Sequence, residues 1–229
     1  MRARFPGSVR FLRCAVIPAL LVSAYWACAQ TGPEQGGNEI QVWTAGGHSV
    51  PAGAVLFRGD RSVDDPSHTW IWNAGFRFGW VLLDSHGPGF LRGRFEYAID
   101  AVPVYLISQT EKGKFLANGA IVPTASRVVY GVGANPVNLK WNFERRGRIL
   151  PYAELSGGLL FTNHDVPPDT SSVNFTPAAA FGAHFLGRRF AWALEARFLH
   201  ISDAGLSSVN PGVNTIEVRI GFGKFTRPR

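Results

Sequence analysis

The sequence has 229 residues, of which 46% are hydrophobic and 17% charged, with a formal net charge of +7 and two cysteines. This length fits one domain that is large enough to bury a core or to close a barrel. Four of the 23 basic residues and no acidic residue lie in residues 1–29, so the rest of the chain carries +3. This modest charge gives no support for nucleic-acid binding.

Residues 1–29 have the order of a secretory signal peptide. Four arginines precede the apolar run "CAVIPALLVSAYW", and the small residues Ala27 and Ala29 then flank a cysteine before Gln30. A transmembrane anchor is the alternative, but the run is short for a bilayer and ends in a cleavage-site pattern. We therefore predict a cleaved signal peptide over 1–29 and one domain over 30–229. Both cysteines lie in the signal peptide, so this domain has no disulfide.

The rest of the chain shows strict alternation of apolar and polar residues. In "TWIWNAGFRFGWVLL", Trp70, Trp72 and Phe76 fall on one face, while Asn73 and Arg77 fall on the other. A period of two indicates β-strands whose two faces have different surroundings. Eight segments show this pattern: 38–50, 69–83, 90–106, 127–144, 149–162, 173–186, 189–203 and 213–226.

The lengths of these segments and of their connections favour a membrane barrel. Several segments exceed ten residues, and long connections (51–68, 107–126, 163–172, 204–212) alternate with short ones (84–89, 145–148, 187–188). Outer-membrane barrels have this asymmetry, together with an apolar exterior and a polar interior. A soluble periplasmic barrel of lipocalin type, with the faces reversed, is the alternative. In the membrane barrel we expect an internal charge network of Arg77, Arg94, Glu96, Lys140, Glu154, Glu195, Arg197, Glu217 and Arg219.

The segment "FAWALEARFLHISDAG" ends its apolar face with His200 and Ser202, two residues apart on the same face. Polar groups that face lipid are costly unless they have a partner or a purpose. A hydroxyl beside an imidazole is the minimal pair of nucleophile and general base, and the following "DAGL" could direct backbone N–H groups to an oxyanion. Strand parity favours Asn214 as the partner of His200, with Asp203 as the alternative if the strand ends there. An interfacial pair without catalysis remains the simpler reading.

The segment "HISDAGLSSVNPGVN" resembles the H-x-S-N-A-G…N-x-G segment of the PagL-like lipid A 3-O-deacylases. The segments "GANPVNLKWNF" and "RILPYAELSGGLLF" resemble the middle strands of the same family. The resemblance implies an all-β, eight-stranded antiparallel transmembrane barrel in the outer membrane. It also implies a serine esterase that removes the 3-O-linked acyl chain from lipid A.

By matching positions, the resemblance assigns Ser202 as the nucleophile and His200 as the general base. The oxyanion site falls on the backbone of Asp203, Ala204 and Gly205. This sequence departs from the family twice, because Asp203 replaces an asparagine and Asn214 replaces the catalytic glutamate. A non-catalytic structural barrel with a degenerate active site is therefore the alternative function.

The partners that we expect are lipid A of lipopolysaccharide and the surrounding outer-membrane lipids. A homodimer is left open, and neither nucleic acid, a cofactor nor a metal is expected. The remaining histidines lack the spacing of metal ligands.

Overall fold

The computed structural model describes residues 32–50, 68–115, 121–207 and 212–228. The predicted signal peptide lies outside these ranges. Among the described residues, no helix is long and apolar enough to cross a membrane. A short 3-10 helix spans Gly89–Leu91, and the strands are β1 (Asn38–Ser49), β2 (Trp70–Val81), β3 (Gly93–Phe115), β4 (Ile121–Phe143), β5 (Ile149–Thr162), β6 (Val173–Phe175), β7 (Ala178–Leu186), β8 (Ala191–Ile201) and β9 (Val213–Phe225).

The strands form a closed antiparallel barrel, because β1 pairs with both β2 and β9 and β4 also pairs with β5. Strands β6 and β7 both pair with β5 and together make one interrupted barrel strand. The interruption includes Pro177, which has no backbone N–H to donate to a ladder. The predicted eight-stranded antiparallel barrel is confirmed.

Strands β3 and β4 are longer than the sequence pattern predicted. Each has 23 residues, and their pairing continues from Gly93↔Phe143 to Phe115↔Ile121. The predicted long connection over 107–126 was wrong, because most of those residues extend the two strands. Alternation reports two faces with different surroundings, and the polar stretch "SQTEKGKF" lacks it. The sequence signal therefore ended before the hydrogen-bonded ladder did.

The apolar face of each strand points outward and the charged face points inward. On β2, the Phe76 side chain is 58% exposed, whereas the adjacent Arg77 is only 3% exposed. The same order holds on β8 and β9, where Leu194 and Val218 are exposed and Glu195 and Glu217 are buried. A soluble barrel would bury the apolar face, so this exterior is suited to lipid.

Ion pairs fill the interior of the barrel. Arg77 contacts Asp100 at 2.7 Å and Glu154 at 2.5 Å, and Arg197 joins the same Glu154 at 2.7 Å. A second group forms around Lys140, which contacts Glu39 and lies 3.2 Å from Glu96. Each of these charges has an oppositely charged partner, as buried charges require. The pairs Arg77–Glu154 and Lys140–Glu39 join strands that are not neighbours in the sheet. The interior therefore ties distant strands together through their side chains.

Arg94 is the exception among the predicted interior charges. Its side chain is 24% exposed and lies 3.6 Å from both Asp84 and Glu144. Those two acids belong to the short turns after β2 and β4. The predicted interior position of Arg94 was wrong, because its strand position is close enough to the barrel mouth for the long side chain to reach the rim.

We predict that Arg77→Ala strongly destabilises the barrel, because it leaves the carboxylates of Asp100 and Glu154 buried without their main partner. Breaking a buried ion pair in this way costs about 3–5 kcal/mol. The measurement is the urea midpoint of unfolding in detergent micelles, followed by tryptophan fluorescence. Arg92→Ala is the control, since it removes a mostly exposed pair with Glu144 at the rim. Equal midpoints for the two variants would contradict a stabilising role for the interior network.

Candidate active site

His200 lies near the C-terminal end of β8, and Ser202 follows that strand directly. Leu199 and Ile201 point inward and pack in the apolar cluster that also contains Val213 of β9. Because successive side chains of a strand point to opposite faces, burial of these residues turns His200 outward. Burial of the alternate residues therefore determines the strand face on which the imidazole lies.

Asn214 meets His200 directly across the β8–β9 ladder. The backbone N–H of His200 donates to the carbonyl of Pro177, and the backbone carbonyl of Asn214 accepts from the N–H of Val50. The backbone hydrogen-bonding groups of His200 and Asn214 therefore point away from each other. Such non-hydrogen-bonded pairs bring their side chains closest together. The Nδ1 of His200 lies 2.7 Å from the Oδ1 of Asn214. Since this oxygen is an acceptor, it selects the tautomer with the proton on Nδ1 and leaves Nε2 able to accept one.

Ser202 follows β8 and forms an antiparallel bridge with Phe175 of β6. Two backbone hydrogen bonds make this bridge: the Phe175 N–H donates to Ser202 at 2.7 Å, and the Ser202 N–H donates back at 3.1 Å. Two residues further on, the Ala204 N–H donates to the Oγ of Ser202 at 3.2 Å. A backbone donor thus already lies beside the hydroxyl oxygen.

The carboxylate of Asp203 organises the turn that follows. Its Oδ1 accepts from the Gly205 N–H at 2.9 Å, and its Oδ2 accepts from the Ser207 N–H at 2.9 Å and from the Ser207 hydroxyl. Ala204 has a φ of +55°, and Gly205 has a φ of +85°, so the turn needs such support. Asp203 is directed into its own turn, and the alternative in which it orients His200 does not agree with this geometry.

These hydrogen bonds also set the ionisation of Asp203. Desolvation of the buried carboxyl group opposes ionisation, but the hydrogen bonds from Ser207 and Gly205 outweigh this effect. The pKa of Asp203 is therefore held below its ordinary value. Sequence reasoning missed this structural role, although an aspartate two residues before a glycine is a signal for a side-chain-supported turn.

The surface around the pair is apolar and faces outward. Phe175 is 41% exposed and Ile216 is 43% exposed, and Leu206 projects from the turn beyond Ser202. Within the described ranges, no group of three or more histidine, cysteine, aspartate or glutamate side chains is arranged to hold a metal ion. The arrangement is a hydroxyl, an imidazole, an amide acceptor and a backbone donor on an apolar surface.

One protein family matches the chain: the model described as "Lipid A 3-O-deacylase (PagL)" matches residues 102–223, more than half of the sequence. Among solved structures, the chain is similar to the crystal structure of the outer membrane enzyme PagL. The identity is 17% and the TM-score 0.52, over 79% of this chain and 97% of that chain. At this identity the likeness shows the barrel fold.

Two further barrels are similar at lower scores. The outer membrane protein OprG from Pseudomonas aeruginosa has a TM-score of 0.48 and 11% identity, over 86% of this chain and 98% of that chain. Ail, the attachment invasion locus protein of Yersinia pestis, has a TM-score of 0.42 and 9% identity, over 84% and 99%. No curated protein matches the chain.

We predict that Asp203→Ala loosens the turn after β8, because three donors lose their acceptor. Gly205 is exposed and Ser207 is half-buried, so water can replace the lost acceptor, and each lost hydrogen bond costs about 0.5–1.5 kcal/mol. The measurement is the hydrogen-exchange protection of the amides of Gly205 and Ser207. Because the pKa of Asp203 is lowered by folding, the stabilisation is complete above the ordinary value of about 3.9 and is lost as the pH falls through the folded value. Asp203→Asn is the control and should show no such pH dependence. Unchanged protection in the alanine variant would contradict the role of the carboxylate.

Proposed function

Because the chain belongs to the lipid A 3-O-deacylase (PagL) family, we propose that it is a serine esterase that removes the 3-O-linked acyl chain from lipid A. The observation that carries this proposal is the hydrogen-bonded His200–Asn214 pair on the lipid-facing side of β8, next to Ser202. A lipid ester in the same leaflet would reach this surface sideways. The substrate would then be lipopolysaccharide itself, among the other outer-membrane lipids.

Ser202 is the nucleophile in the proposed reaction, and His200 is the general base. The Oγ of Ser202 attacks the ester carbonyl carbon, and its proton passes to Nε2 of His200. Collapse of the tetrahedral intermediate breaks the bond to the sugar oxygen, which takes the proton from His200. Water then attacks the acyl-enzyme with His200 again as the base, and release of the fatty acid restores Ser202.

The negative charge of the tetrahedral intermediate needs donors, and the turn after Ser202 supplies backbone N–H groups. The Ala204 N–H is the strongest candidate, because it already lies 3.2 Å from the Ser202 hydroxyl oxygen. The Gly205 N–H is engaged by the Asp203 carboxylate. We therefore assign Asp203 and Gly205 to the support of this oxyanion turn and Ala204 to direct donation.

Asn214 orients His200 without adding a negative charge. Replacing the triad aspartate of a serine protease by asparagine lowers turnover about 10⁴-fold, largely because the imidazole takes the wrong tautomer. Here the amide oxygen faces Nδ1, which supports the tautomer with the proton on Nδ1. The missing charge alone is a smaller loss, since a hydrogen bond to a charged group contributes about 1.5–3 kcal/mol. The proposed enzyme is thus slower than one with a carboxylate at this position, but not inactive.

We expect lipid A from Gram-negative cells that express the protein to lose one 3-hydroxyacyl group. Mass spectrometry of extracted lipid A measures this loss, with Ser202→Ala as the matched control because it removes only the nucleophilic oxygen. The variant should leave lipid A intact while folding normally, as judged by heat-modifiable migration on gels. Intact lipid A in both strains, with both proteins folded in the outer membrane, would favour the non-catalytic structural barrel.

We predict that Asn214→Asp raises kcat by about 10- to 100-fold, because a carboxylate of the same size would stabilise the imidazolium at the same distance. Asn214→Glu restores the family's residue and should act in the same direction. Asn214→Leu removes the acceptor and should lower kcat below that of the natural protein. The measurement is the initial rate of fatty acid release in mixed micelles. Equal rates for the natural, aspartate and leucine proteins would show that position 214 does not orient His200.

The sequence left a homodimer open, and the comparisons with known proteins do not support one. Crosslinking in native membranes at several expression levels would test it.

A further inference from the structure

Gly212 lies against the Cε1 and Nε2 atoms of the His200 imidazole, whereas Asn214 meets its Nδ1. A Cβ atom at position 212 would lie 2.7 Å from Cε1 of His200 and 3.3 Å from Nε2. Real Cβ atoms do not approach other heavy atoms as closely as 2.7 Å. The ring therefore occupies the space that any other residue at this position would take. Its Nδ1 edge is meanwhile held by the Asn214 amide oxygen at 2.7 Å.

The backbone of Gly212 adds a separate requirement. Its φ is +62°, in the left-handed region that side chains with a Cβ rarely adopt. Asparagine tolerates this conformation better than other residues do. The contact with the ring, however, is the same for asparagine as for alanine, because both carry a Cβ, so the imidazole must shift in either variant. The two requirements can therefore be separated by experiment.

We infer that Gly212 is a positioning residue for His200, because the backbone of Gly212 and the side chain of Asn214 together limit the positions open to the imidazole. The inference rests on the proposed function where it concerns catalysis, because it assigns no contact between Gly212 and substrate. A Cβ at this position would turn or displace the ring and move Nε2 away from its working place. Misplacement of a catalytic group by about 1 Å can cost about 10²-fold in rate.

The test compares Gly212→Ala with Gly89→Ala. Gly89 also has a left-handed φ, +49°, but a Cβ there would meet nothing within 4 Å, and the residue begins the short 3-10 helix before β3. Both variants carry the backbone strain, and only the first carries the clash with His200. We expect kcat for fatty acid release to fall about 10- to 100-fold in Gly212→Ala, with KM changed less than about threefold. Gly89→Ala should keep kcat within about twofold.

Nuclear magnetic resonance of the imidazole provides a readout that does not depend on activity. With ¹⁵N-labelled histidine, and with His200→Gln to assign the signal, the tautomer with the proton on Nδ1 should be present in the natural protein and in Gly89→Ala. It should be lost or mixed in Gly212→Ala and in Gly212→Asn, which relieves the strain on φ but keeps the Cβ.

Two results would overturn the inference: an unchanged His200 signal in both Gly212 variants, or the same loss of kcat in Gly89→Ala. If Gly212→Ala does not fold, Gly212→Asn decides the question in its place. An inactive natural protein with the expected His200 signals would refute the proposed function while leaving the position of the ring established.

Discussion

The absence of water from the hydrocarbon core of a bilayer determines this structure. Every backbone N–H and C=O within the membrane must find a partner inside the protein, and a closed ladder of strands is one of two ways to achieve this. Pairing of β1 with β9 closes the ladder. Pro177 would open a gap in it, but the bridge between Phe175 and Ser202 carries the pairing past the interruption. The same bridge holds the proposed nucleophile, so closure and placement of the site depend on the same hydrogen bonds.

Closure of the barrel places one face of each strand in the interior and the other against lipid. Because successive side chains point to opposite faces, alternating residues meet these two environments in turn. Inward positions collect the paired charges around Arg77 and Lys140, whereas outward positions collect aromatic and aliphatic groups. His200 and Asn214 break this pattern on the outside. Their non-hydrogen-bonded pairing brings the side chains within 2.7 Å, so the polar pair satisfies its own hydrogen bond within an apolar surface. Together with the family to which the chain belongs, this exterior assigns the protein to the outer membrane.

Much of this arrangement could be predicted from the sequence, because alternation encodes strand faces directly. It predicted the barrel and the meeting of one strand end with Asn214 rather than Glu217. It did not predict the full length of β3 and β4, since the alternation of residue types ends before the hydrogen-bonded ladder does. The alternation pattern also did not predict the local roles of Asp203 and Gly212. The role of Asp203 depends on the distance from its carboxylate to the N–H groups of the turn. The role of Gly212 depends on the distance from its Cα to the His200 ring. A pattern of residue types contains neither of these distances.

Eight strands enclose only enough room for side chains, and here that room is occupied by ion pairs such as Arg77 with Glu154. In a planar lipid bilayer such a protein should be electrically silent. Under the proposed function, a lipid substrate would reach Ser202 by lateral diffusion within the leaflet, and the released fatty acid would partition into the same leaflet. Supply to the site would then depend on the fluidity and surface density of the leaflet rather than on any concentration in the surrounding medium. Cooling, or divalent cations that crosslink the phosphates of the leaflet, would make the leaflet less fluid. The rate at which substrate meets Ser202 would then fall before the rate of the chemical step changed.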